Sequence, residues 1–172
     1  MSSIQPKTHK AIIDSTRNWI SEVVIGLNFC PFARKPFKDE TISYLVLEAA
    51  DEKEVITAFA SACQYLDLHP EVETSLLILP NGFHDFEDYL DLVASAEDWL
   101  EDEDHEGIYQ VASFHPEYLF AGSDEDDPAN YTNRSPYPML HLLREDLLEI
   151  AIEKHTAVEE IGRAHVWTPV TW

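Results

Sequence analysis

Glycine is scarce in this chain, 5 residues in 172, and cysteine scarcer still at 2. So few glycines leave no Gly-rich phosphate loop, and no Gly-x-Ser-x-Gly elbow is present either, so the usual nucleotide and hydrolase signatures are missing. Cys30 and Cys63 lie in dissimilar surroundings and do not make a disulfide scaffold, so reduced thiols in a cytoplasm are expected. Long apolar runs are absent too. No stretch approaches the ~20 residues of a membrane helix, and the polar segment Met1 to Lys10 lacks the apolar centre of a signal peptide. Basic residues number only 11 against 33 acidic ones, a net charge of −22. That field repels phosphate backbones, which argues against nucleic acid and anionic membranes as partners.

What remains is ordinary globular material. Hydrophobic residues make up 45% of the chain, enough for one domain with its own core. Ile12, Ile13, Thr16, Trp19, Ile20, Val23, Val24 and Leu27 recur at helical spacing, and Pro31 stops that helix. Ile42 to Leu47 reads as a strand. Asp51, with Glu54 three residues on, opens a helix whose apolar face includes Cys63. Ser75 to Leu79 is nearly all apolar and predicts a buried, central strand. A helix from about Asp85 to Asp104, a strand from Ile108 to Phe114, a long loop and a last helix from Met139 to about Lys154 complete the reading. The order α-β-α-β-α-β-loop-α predicts an α/β fold, a mainly parallel sheet of three or four strands with covering helices.

Four residues carry the candidate chemistry. Cys30 sits beside Pro31 with Arg34 and Lys35 nearby, cations that lower a thiol pKa. Cys30-Pro31-Phe32 is similar to the active-site turn of omega-type glutathione transferases and glutaredoxins, although there the cysteine follows a strand. His115 leaves the third strand, at the end where α/β sheets bind ligands. Ser135 is placed to cap the last helix with Pro136 in its first turn, and Arg134 adds a cation beside those free amides. That pattern suits a small anionic ligand, with Asn133, Ser135, Tyr137, Arg144 and Glu145 in support. His141 and Glu145, four apart on the expected helix, permit a metal reading together with His115, far weaker than a His-Glu-x-x-His pair. Asp124 to Asp127 lack the glycine and alternating ligands of a calcium loop. No cofactor is indicated.

Three strings point to a family. They are Asn28-Phe29-Cys30-Pro31-Phe32-Ala33, Phe114-His115-Pro116-Glu117-Tyr118-Leu119-Phe120-Ala121-Gly122, and Asn130 to Pro138, running on through His141-Leu142-Leu143-Arg144-Glu145. Together they resemble the bacterial domain of unknown function 1415 family over roughly Ser15 to Glu159. The resemblance implies a bacterial-type soluble protein and brings no activity with it. Residues 160–172 depart from the pattern. Glu160 to Val166, then Trp167 and Thr168 to Thr171, match one reading frame of a common sequencing adapter, with Trp167 at a TGA codon. The expectation is a single domain over 1–159 and a non-native tail over 160–172.

Two functions fit these residues. One is a small enzyme or ligand-binding domain with Cys30, His115, Arg134 and His141 around an anion pocket, Cys30 acting as nucleophile or redox thiol. The other is a non-catalytic module in which the same residues order the long loop and the acidic surface engages a partner.

Overall fold

The computed structural model describes residues 7–159; the suspected tail lies outside them. Thr8 caps α1, His9–Trp19, by accepting the Ala11 N–H. The helix then widens into a single π-helical stretch, Ile20–Ile25. Gly26 closes that stretch by donating its N–H to Ser21 five residues back. A Cβ at Gly26 would lie 2.2 Å from the Glu22 carbonyl oxygen, so no larger residue fits there without a shift. A short α2, Arg34–Lys38, leads into β1, Ile42–Val46.

Two helix starts are capped by aspartates, the first as its spacing predicts. Asp51 accepts the Glu54 N–H at the start of α3, Glu52–Leu68. Asp85 accepts the Glu87 and Asp88 N–H groups at the start of α4, Phe86–Asp102. Between them runs β2, Thr74–Ile78, buried along its whole length as its apolar sequence predicts. Strand β3 covers Tyr109–Phe114. No described helix is long and apolar enough to cross a membrane.

The end of the domain corrects the sequence reading. Met139 to Arg144 is not helix but a fourth strand, β4, and the last helix, α5, spans Glu145–Glu159. The sheet order is β1-β2-β4-β3, with β1 parallel to β2 and β4 antiparallel to both β2 and β3. Strands β1, β2 and β3 therefore share one direction, as the strand-helix alternation implies. The sheet is nonetheless mostly antiparallel in its pairings, because β4 inserts between β2 and β3. A Leu-rich run apolar on both faces has no periodicity that separates helix from buried strand, and two flanking strands with open hydrogen bonds decide the matter.

The two faces of the sheet bury separate layers. Leu77, Leu79, Leu140 and Leu142 pack with Phe59, Leu66, Tyr89 and Leu92 from α3 and α4. Leu76, Ile78 and Met139 pack with Ile12, Trp19, Ile20 and Val24 from α1 and its π extension. Cys63 belongs to the first layer, fully buried, while Cys30 borders the second.

Candidate functional site

The long loop after β3 holds most of the singled-out residues. His115 is fully buried, ringed by Phe86, Tyr89 and the loop. Its Nε2 lies 2.9 Å from the Phe83 carbonyl, so it carries the proton, and its Nδ1 accepts the Glu117 N–H at 3.0 Å. Burial holds its pKa below the ordinary value, against the opposing Phe83 hydrogen bond. The imidazole is neutral, and both nitrogens are occupied.

The main chain of His115 is tied to the far end of the same loop. Its N–H donates to the Asn133 carbonyl, and its own carbonyl accepts the Ser135 N–H. Asn133 Nδ2 donates to the Ser113 carbonyl at 2.9 Å, and Ser135 Oγ to the Tyr137 carbonyl at 2.6 Å. Arg134 crosses the loop interior, giving Nε to the Tyr118 carbonyl and Nη2 to the Glu125 carbonyl, with its guanidinium 4.5 Å over the Tyr131 ring. Its partners are carbonyls, not an acid such as Asp126. Asn130, fully buried and not among the candidate residues, accepts the Phe120 N–H and donates to the Asp124 carbonyl.

His141 lies elsewhere. Leu140 and Leu142 face α3 and α4, so His141 faces the α1 layer, where its ring meets Phe114 at 6.0 Å. Thr74 Oγ1 donates to the Leu142 carbonyl and therefore accepts from His141 Nε2 at 2.7 Å. Desolvation lowers the His141 pKa to about 4. On that same layer the indole N–H of Trp19 is buried without a partner among the described residues.

Cys30 borders the α1 layer, and no hydrogen bond or ring contact joins it to His115, Arg134 or His141. Burial raises its pKa, and the Phe32 and Ala33 N–H groups only partly offset this. The nearby cations do not rescue it, since Lys35 reaches away to Glu73.

The remaining expectations separate further. No helix starts at Ser135, so the amide cradle expected there for an anion is absent. Tyr137 accepts from Lys7 at 3.2 Å. Arg144 stands at the opposite end of the sheet and donates to the Leu66, His69 and Val72 carbonyls, closing the end of α3. Glu145 opens α5 instead of facing His141 across a helix turn. The metal reading fails on the same geometry. His115 and His141 face different layers, and no three His, Cys, Asp or Glu side chains among the described residues are grouped to hold an ion.

The loop network belongs to a small mixed α/β domain whose long connection is tied down by hydrogen bonds. The chain matches the family described as "Protein of unknown function (DUF1415)" over residues 11–168, and it belongs to that family. No curated protein matches it, and no solved structure does.

Proposed function

We propose that this chain is a non-catalytic interaction domain. In this reading His115, Asn133, Arg134 and Ser135 fix the loop from Pro116 to Pro138, and the acid-rich side of the molecule engages a partner. The observation that carries it is His115, buried with both ring nitrogens and both main-chain groups bound within the loop. A general base needs a free lone pair within reach of substrate, and this histidine has none.

The state of Cys30 supports the same reading. A nucleophilic thiol works through a lowered pKa or an adjacent base, and Cys30 has a raised pKa and no histidine partner. Two free thiols in separate layers also suit a reducing, cytoplasmic setting.

Iodoacetamide alkylation of Cys30, followed against pH in the intact protein, tests the proposal. The expected rate is slow at neutral pH and rises only above the ordinary thiol value of about 8.5. Rapid alkylation below pH 7 would return Cys30 to the role of nucleophile and overturn the reading.

A further inference from the structure

Strand β3 is one of the two edges of the sheet, and its hydrogen-bonding groups can be counted. The Glu145 N–H donates to the Ile108 carbonyl, which extends the β3–β4 ladder and sets its phase. Gln110 and Ala112 therefore bond to β4, Phe114 faces the same way with its N–H taken by the Tyr89 hydroxyl, and Tyr109, Val111 and Ser113 point their main-chain groups away. Two of those outward groups are covered from within the chain. The Tyr109 N–H donates to the His105 carbonyl, and the Ser113 carbonyl accepts from Asn133. The Tyr109 carbonyl, the Val111 N–H and carbonyl, and the Ser113 N–H have no partner among the described residues.

Edge strands are ordinarily blunted by lysine, proline, a bulge or a covering element. Strand β3, Tyr-Gln-Val-Ala-Ser-Phe, carries no charge and no proline, and its register runs without a bulge. Beside it lies a cavity of about 190 Å³, lined by Tyr109 and Val111 together with Glu97, Glu101, Glu106 and Glu145. None of these four acids forms an ion pair among the described residues. Between Lys53 and Arg134 the sequence has no lysine or arginine at all. Partial desolvation and the neighbouring Asp98 also raise the pKa of the Glu97 carboxyl. Edge strand β1 is uncharged as well, but Arg17 and Lys35 already pair with Glu40 and Glu73 beside it.

From this we infer that β3 docks an extended, basic segment of a partner chain. The segment adds to the sheet between Tyr109 and Ser113, and its lysine or arginine side chains reach Glu97, Glu101 and Glu106. Main-chain pairing supplies the attachment and alternate side chains the selectivity, as in other strand additions. A second copy of this chain is disfavoured, since the contact would bring two acidic cavities together. The inference rests on the interaction-domain reading and gives it a partner.

The probe is a capped hexapeptide alternating lysine and valine, titrated into the full chain, with a glutamate-valine peptide as control. Hydrogen exchange at the Val111 and Ser113 amides is followed alongside the titration. The lysine peptide should bind and slow exchange at both amides, and the glutamate peptide should do neither. Glu97→Gln with Glu101→Gln, both exposed on α4, should weaken binding by about tenfold without unfolding the protein. Binding with no protection at Val111 would overturn the strand addition, because charge alone then accounts for it. Protection that grows with protein concentration, without peptide, would assign the edge to a second copy. No binding while Cys30 remains slow to alkylate would sink the basic segment and leave the interaction domain standing. No binding with rapid alkylation would remove both.

Discussion

Tyr89 and Phe114 meet through a hydroxyl set into the end of the sheet. The Tyr89 oxygen accepts the Phe114 N–H at 2.9 Å and donates its own proton to the Met139 carbonyl at 2.6 Å. A side chain from α4 thus fastens the last residue of β3 to the first of β4, where the long loop departs and returns. Tyr89→Phe keeps the ring and removes this link. Because the site is fully buried, the expected cost is about 1–3 kcal/mol in urea unfolding. A loss under about 0.5 kcal/mol would mean the two strand ends close on each other unaided.

Arg144 closes α3 from outside the helix. Three carbonyls share one guanidinium, so Arg144→Ala should cost about 2–3 kcal/mol. Arg144→Lys, with its single point charge, should recover only part of that. Equal stability of the lysine variant and the unaltered protein would show that charge near the helix end, not the fork, is what counts.

Arg134→Ala should act locally. The loop loses its ties to Tyr118 and Glu125 while both core layers keep their contacts. Faster hydrogen exchange is expected at Tyr118 and in the segment around Ser123, with the unfolding free energy lowered by at most about 1 kcal/mol. Unchanged exchange there would contradict the loop-ordering role.

His141 makes stability depend on pH. Its folded pKa is about 4 against an ordinary 6.5, so the unfolded chain takes up the proton first as pH falls. Its contribution is complete above pH 6.5, declines as pH drops toward 4 and levels off below that. Allowing for its partial exposure, the loss is roughly 2 kcal/mol. His141→Gln keeps a donor for Thr74 and does not titrate, so its urea midpoint should fall less between pH 7 and pH 4 than that of the unaltered protein. Parallel declines would assign the whole acid response to carboxylates.

The elements whose signals are local were legible in the residues. Asp51 and Asp85 cap helices with short acceptors three residues or fewer from their donors, and β2 declares its burial by being apolar throughout. Strand β4 was not legible, since Leu140, Leu142 and Leu143 suit a helix as well as a strand between two others. With that helix went the anion cradle at Ser135 and the His141–Glu145 pairing, both consequences of one misplaced element. The candidates that share the loop, His115, Asn133, Arg134 and Ser135, do come together, because they are close in sequence on either side of one connection. Cys30 and His141 join the fold through long-range packing that no spacing encodes. Nothing in the residues marks out Glu97 and Glu101, and only the sheet topology sets them beside an edge strand.

The π-helical stretch at Ile20–Ile25 sets where the chain after it is aimed. A π-helical stretch holds one more residue in its widened turn than an α-helix does, while the helix before it keeps its course. Excising one residue between Ile20 and Ile25 would restore continuous α-helix and turn everything that follows by about 100°. Val24 would leave the apolar layer, and the Cys30 turn would swing off the sheet with it. The extra residue is therefore what phases the first helix to the turn that follows, and a homologue lacking it would have to present that turn from a different side.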